Sequence, residues 1–273
     1  MLKAEVQYLA KGGDDVIYFA SSAGRNANFS VNKGMQTFNL EVADARESDV
    51  DKQRDSQTGL ANSGFMLVEA PSAVNNFLDK DQIAGIYEDE ATALLKSITG
   101  ADRVHIFDHT VRASDAEIRE TKQIREPSTL VHNDYTTKSG FVCLDENLGD
   151  DAEKLKQGHF QIINLWRPLV DPVQSWPLAF CDARSVDQAD NVDAERRAPN
   201  HTGEISLATY NTRHKWFYYS DMNPKEVLVF KTFDSENGGR VPYAIHTAID
   251  IAEKYPNAVP RESIETRAFV FYA

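Results

Sequence analysis

Short stretches in which apolar and polar positions alternate run through most of this chain, and such alternation predicts strands. Two lie at the start, Ala4–Leu9 and Asp15–Ala20, separated by the turn signal Gly12-Gly13. Gln36–Ala43 alternates in the same way, whereas residues 45–60 are charged and polar and read as a loop. The period then changes. Ile83, Ile86, Leu94, Leu95 and Ile98 recur near helical spacing, predicting a helix over 79–97 that Gly100 stops. A strand follows over 103–112. From Pro127 onward the pattern is strand-rich to the end, with candidates at 130–135, 158–166, 179–183, 205–210, 216–219, 227–231, 244–248 and 263–272. The polar run 185–200 reads as an insertion loop. With no internal repeat and no linker, the expectation is one domain over 1–273: strands, a loop and a helix over 1–100, then a core over 101–273. Many short strands separated by turn signals favour a mainly β fold, a sandwich or jelly roll with peripheral helices.

Composition narrows the function classes. A length of 273 residues with 41% apolar content suffices for one packed core. The net charge of −13 argues against nucleic acid and anionic membrane surfaces, where a basic patch is expected; otherwise it serves solubility. No segment approaches the roughly 18 apolar residues of a membrane span, and Met1–Lys11 lacks the apolar run of a signal peptide. Cys143 and Cys181 both sit among apolar neighbours and read as small buried hydrophobes. The expectation is a soluble, cytoplasmic protein in which the sequons Asn28-Phe29-Ser30 and Asn200-His201-Thr202 are silent.

The candidate chemistry sits in three separated segments. Val131-His132-Asn133-Asp134-Tyr135 contains the only H-x-D of the chain. In an extended segment that spacing puts imidazole and carboxylate on one face. A second histidine from a later strand, His246, completes two histidines and one carboxylate on one side of a metal, a set that suits non-haem Fe(II) and leaves positions open. A surface turn is the competing reading for His132 and Asp134, and a satisfied core histidine is the competing reading for His246. His105, Asp108 and His109 form a rival metal set. The third segment is the C-terminal strand, where Arg261 and Ser263 point two donors to one face and Arg267 follows on it. A buried arginine there can clamp a carboxylate.

Together these segments resemble the Fe(II)/2-oxoglutarate-dependent oxygenases. Arg261-Glu-Ser263 resembles their 2-oxoglutarate-binding motif, and the gap from 246 to 261, 15 residues, lies in the usual range. Val131–Tyr135, Asn164–Leu169, His214–Tyr219, Met222–Glu226, Phe230–Ser235 and Arg261–Arg267 resemble more specifically a fungal branch. That branch holds gibberellin desaturase-like, cephem methoxylation-type and meroterpenoid-pathway enzymes. The likeness covers roughly residues 100–273, and the first 100 match less clearly. One departure is Ile245-His-Thr-Ala-Ile249, where the compared members carry Pro-His-Thr-Ala-Phe.

The resemblance implies a double-stranded β-helix with Fe(II) held by His132, Asp134 and His246. It implies 2-oxoglutarate on the iron with its far carboxylate on Arg261 and Ser263 or on Arg267, and O2 as cosubstrate. Arg167 is expected to line the same cavity, with Tyr135, Trp216 and Tyr219 as weaker pocket candidates. The implied reaction begins by hydrogen abstraction from an unactivated C–H bond. It ends in hydroxylation, desaturation, rearrangement or endoperoxidation of an apolar polycyclic small molecule of the meroterpenoid type. The segments 45–65, 107–128 and 184–203 are expected to act as lids. Two other readings stand beside this one: a zinc hydrolase using the same triad, and a non-catalytic partner subunit of an oxygenase dimer. Homodimers and heterodimers are both compatible with the sequence.

Overall fold

Alternating strands sort into two sheets in the computed structural model, which describes residues 1–12, 15–26, 28–52, 56–199, 201–236 and 243–272. In chain order the strands are β1 (Leu2–Leu9), β2 (Ile17–Phe19), β3 (Ser30–Val31), β4 (Met35–Asp44), β5 (Phe65–Glu69), β6 (Arg103–Ala113), β7 (His132–Asn133) and β8 (Phe160–Pro168). They continue as β9 (Leu178–Cys181), β10 (Asn191–Ala198), β11 (His201–Ala208), β12 (Trp216–Tyr218), β13 (Glu226–Asp234), β14 (His246–Ala248) and β15 (Glu262–Phe271). The larger sheet runs β1-β4-β12-β9-β14-β7-β11-β10-β2-β3, and the smaller runs β5-β13-β8-β15-β6. This is a mainly β architecture, as expected.

The two sheets face each other, because Leu178 and Phe180 of β9 pack in one cluster with Phe65, Trp166, Leu228 and Phe230 of the smaller sheet. Alternation sends Ala179 and Cys181 of the same β9 to the opposite face, against Val6, Tyr8, Trp216 and Ile245. Behind the smaller sheet lies the helix Glu88–Thr99. Its Ala91, Leu95 and Ile98 pack on Ile163, Leu165, Val229, Ala268 and Val270. It ends where Gly100 takes φ +69°, the left-handed stop foreseen from the sequence. β15 is therefore clad on one face by apolar helix residues, which leaves Ser263, Glu265 and Arg267 for the face between the sheets.

Several expectations need correction. Residues 191–198, assigned to an insertion loop, form β10, which pairs with β11 and in parallel with β2. The sequence of β10 is polar because only Ala194 is buried. The region 45–60 contains a 3-10 turn at Ala45–Glu47 and short helices at Asp49–Lys52 and Ser56–Asn62. The strand-rich reading after Pro127 missed the helix Thr137–Leu148. Its Thr136 cap and Ser139 bond reciprocally, Ser139 N to Thr136 Oγ1 at 2.9 Å and Thr136 N to Ser139 Oγ at 2.8 Å. Both cysteines are free. No helix among the described residues is long and apolar enough to cross a membrane. Gly13 and Asn200, of the expected turn and the second sequon, lie outside the described residues.

Candidate active site

His132 and His246 are direct register partners on the neighbouring strands β7 and β14, with ring centroids 4.5 Å apart. Both are buried. Each ring is fixed through Nδ1, which bonds the carbonyl two residues before it: Leu130 O at 2.7 Å and Ala244 O at 3.1 Å. A neutral imidazole whose Nδ1–H is given to a carbonyl keeps a lone pair on Nε2 for another partner. Burial lowers both imidazoles, His132 to about 4, so the neutral, ligating form prevails at pH 7.

Asp134 reaches the same point from just beyond β7. Its Oδ1 is 3.7 Å from His132 Nε2, and the donor atoms of His132, Asp134 and His246 all fall within 4.8 Å of one another. They are the one such three-donor group found among the described residues. The other oxygen, Oδ2, accepts from Arg267 Nε at 2.9 Å and Asn164 Nδ2 at 2.8 Å. Burial alone would raise this carboxyl, but Arg267 and the two imidazoles hold it well below the usual range. Asn133 anchors the turn between the two donors, giving its amide to Tyr135 O at 2.6 Å and Thr232 O at 2.9 Å. The set of two neutral imidazoles and one ionised carboxylate, each with a free donor atom, fits Fe(II).

The arginines separate into different surroundings. Arg267 is engaged by three carboxylates: Asp134, Asp108 at 2.6 Å from Nη1, and Glu265 at 2.6 Å from Nη2. Arg261 is 1% exposed and has no ion-pair partner among the described residues. Its Nε donates to Ser263 Oγ at 3.1 Å, its Nη1 donates to Trp176 O at 2.8 Å, and its guanidinium stacks 4.9 Å from the Trp166 ring. Burial pushes it down to about 9. Trp166 Nε1 beside it is buried without a hydrogen-bond partner. A buried, unpaired cation with an orphaned donor beside it fits one carboxylate of a dicarboxylate such as 2-oxoglutarate.

Arg167 does not line the metal cavity. Asn164 and Trp166 of β8 face the space between the sheets, so alternation turns Arg167 to the helix layer, 5.4 Å above the Tyr87 ring with Nη1 on Pro224 O at 2.6 Å. Trp216 and Tyr219 are core residues of separate clusters, away from the cavity. The rival metal set is also dispersed. His105 lies on Phe269, His109 bonds Thr266 and Glu88, and Asp108 pairs with Arg267.

A cavity of about 750 Å³ opens over His132 and Asp134, lined by them with Tyr135, Arg267 and residues of 107–112, 123–126, 196 and 201–205. Of the expected lids, 107–128 and 184–203 contribute to its wall, and among the described residues 45–65 does not. The sequence reading gave Asn164 and Glu265 no role in the site and placed Asp108 in the rival metal set instead of beside Arg267. Asn164 and Glu265 carry a signal, being polar at inward positions of otherwise apolar strands.

The sequence profile of the family described as "YDMC: Oxidoreductase/YMDC permease-like domain" matches residues 6–271. The Fe(II)/2-oxoglutarate-dependent dioxygenase nvfI of Aspergillus novofumigatus is 34% identical over 86% of this chain and 85% of its own. The hydroxylase/desaturase efuI of Hormonema carpetanum is 32% identical over 81% of each. Among solved structures, the iron and alpha-ketoglutarate-dependent endoperoxidase NvfI superposes with a TM-score of 0.82 and 27% identity, covering 99% of this chain and 98% of that one.

Proposed function

The chain belongs to the Fe(II)/2-oxoglutarate-dependent dioxygenases of fungal secondary metabolism, and from that premise we propose how its residues divide the work. The enzyme uses Fe(II), 2-oxoglutarate and O2 on a small-molecule substrate. In our reading its two sheets form a double-stranded β-helix within one domain. Iron binds His132 Nε2, Asp134 Oδ1 and His246 Nε2, supported by the convergence of those atoms within 4.8 Å. When bound, iron and 2-oxoglutarate supply the oxygen activation and C–H cleavage.

The protein's own part is placement. Arg261, with Ser263 and the Trp166 indole, takes the far carboxylate of 2-oxoglutarate, because of Arg261 and Arg267 it is the one without a carboxylate of its own. Arg267 is already committed to Asp134, Asp108 and Glu265. Tyr135 borders the cavity with its hydroxyl on Cys143 Sγ at 3.8 Å; burial raises its pKa well above the usual value, so it stays protonated. A cavity of about 750 Å³ accommodates a polycyclic natural product. Hydroxylation, desaturation, rearrangement and endoperoxidation all start from a C–H bond held over that site. The same reading gives a cytoplasmic protein that self-associates or pairs with a related chain, with no nucleic-acid or membrane partner, in keeping with the charge of −13.

The observation that carries the reading is the triad itself. It is tested by succinate release from 2-oxoglutarate under air. Formation should need Fe(II) and should vanish in His132→Ala and His246→Ala; succinate release that survives in both variants contradicts the ligand assignment.

A further inference from the structure

The outer wall of the metal cavity carries a cluster of cations that the iron and 2-oxoglutarate do not use. Arg112 of β6 and Arg125 are partners across an isolated parallel bridge, so their side chains leave the backbone side by side. From the opposite wall come Arg196 of β10 and Tyr18 of β2, which are also register partners. All four line the cavity that holds His132 and Asp134. They act on one another: burial lowers the Arg125 pKa, and Arg112 and Arg196 lower it further. Tyr18 is raised by burial and pulled back by Arg112 and Arg196.

Several acids share the cavity wall, but none is ion-paired with these arginines. Asp108 is paired with Arg267, Glu204 with Lys138 and Thr136, and Glu126 accepts from Ser21 Oγ at 3.0 Å. Glu146 borders the cavity from the exposed face of its helix. Among the described residues, Arg112, Arg125 and Arg196 have no carboxylate within the 4.0 Å of an ion pair. Arg112 Nη1 is satisfied only by a backbone carbonyl, Glu126 O at 2.8 Å. Like charges set directly opposite across a pairing destabilise it, and here three converge in a chain of net charge −13.

We propose that Arg112, Arg125, Arg196 and Tyr18 form a carboxylate-recognition site for the organic substrate, which is therefore an anionic polycyclic acid rather than a wholly neutral molecule. The proposal rests on the oxygenase reading, because the cluster shares the triad's cavity. Guanidinium groups and a phenol on the wall of one cavity match a carboxylate in charge and in hydrogen-bonding chemistry. Anchoring the acid at the wall leaves the apolar rings over the triad, with Phe107, Ile124, Tyr135 and Ile205 around them.

The same chemistry is present in 2-oxoglutarate, and the experiment separates the two sources. Anaerobic protein loaded with Fe(II) and 2-oxoglutarate is titrated calorimetrically with a panel of tricyclic diterpene acids and their methyl esters. The visible iron–2-oxoglutarate charge-transfer band is titrated in parallel. Wild type should bind acids about tenfold or more tighter than esters, the range expected for hydrogen bonds to a charged group. In Arg125→Gln and Arg196→Gln that advantage should disappear while the 2-oxoglutarate midpoint stays in place. Arg125→Gln should also unfold no lower than wild type, since it relieves repulsion. Equal affinity for acids and esters, or no binding by any acid, overturns the proposal. Loss of the 2-oxoglutarate band in the variants assigns the cluster to the cosubstrate and also overturns it. Absence of the band in wild type sinks the iron-site reading itself, and this proposal with it.

Discussion

Arg267 Nε donates to Asp134 Oδ2 at 2.9 Å, and Asn164 gives a second bond to the same oxygen at 2.8 Å. One carboxylate oxygen is thereby committed to the protein, and the other, Oδ1, remains beside His132 Nε2. In this account Asp134 offers iron a single oxygen whose direction is set by the smaller sheet. The anchor is itself anchored, because Glu265 and Asp108 hold the other ends of the guanidinium.

Removing the anchor should weaken the metal without touching the cosubstrate arginine. Outer partners of a ligand typically contribute about 10–100-fold in metal affinity. We expect that loss in Asn164→Ala, measured as Fe(II) affinity by competition with a chelator. Arg267→Gln should in addition lower the unfolding free energy by about 3–5 kcal/mol, since it strands buried carboxylates. Unchanged Fe(II) affinity in both variants would show that Asp134 needs no such support.

Arg261→Gln should have the opposite signature. Fe(II) affinity should stay within error, while 2-oxoglutarate binding weakens by about 2–5 kcal/mol, the usual cost of truncating one side of a buried charged pair. A 2-oxoglutarate titration followed by the charge-transfer band distinguishes this from the Arg267 variant. Loss of the cosubstrate in Arg267→Gln but not in Arg261→Gln reverses the assignment.

The helix Thr137–Leu148 is seated through Gly140, whose added Cβ would lie 2.2 Å from the Phe233 ring. Alanine in a helix interior is ordinarily better than glycine by about 1 kcal/mol. Here the overlap should outweigh that gain, with overpacking costing about 1–3 kcal/mol. Gly140→Ala should therefore lower the melting temperature. A raised melting temperature would mean that the helix slides off Phe233 freely.

His214 supplies a pH dependence away from the metal. Its side chain is fully covered, with Nδ1 on Tyr8 Oη at 2.8 Å and Nε2 on Asp190 at 3.2 Å. Burial lowers its pKa from the ordinary 6.5, outweighing Asp190, so the folded protein holds it neutral. The unfolded chain then binds the extra proton first, and stability falls as pH drops below 6.5, with a slope of at most about 1.4 kcal/mol per pH unit from this group. Denaturant unfolding of wild type and His214→Gln between neutral and mildly acid pH should show a shallower acid slope in the variant. Equal slopes would remove His214 from the account.

The sequence showed the strands, the helix before Gly100 and the three segments of the site, because each depends on local alternation, on a stop signal or on a ligand spacing. It did not show which face Arg167 takes. That follows from Asn164 and Trp166 facing inward, and strand β8 is buried on both sides, so its hydropathy does not mark the inner face. β10 carries no strand signal in the sequence, because only Ala194 of it is buried and its other positions are polar or half-exposed. The helix after Asp134 carries Phe141, Leu144 and Leu148 at helical spacing. Its Thr136–Ser139 cap lacks the usual acidic partner, so the start signal was weak. The choice between Arg261 and Arg267 depends on contacts 133 and 159 residues away in sequence, to Asp134 and Asp108, which no local pattern reports.

The central claim is tested most directly by anomalous diffraction at the iron edge, using crystals grown without oxygen in the presence of Fe(II) and 2-oxoglutarate. The account predicts one iron peak bonded to His132 Nε2, His246 Nε2 and Asp134 Oδ1. Oδ2 should still rest on Arg267 and Asn164, and the far carboxylate of 2-oxoglutarate should lie on Arg261 and Ser263. An iron peak elsewhere, or a cosubstrate carboxylate on Arg267 with Asp134 released, would contradict it.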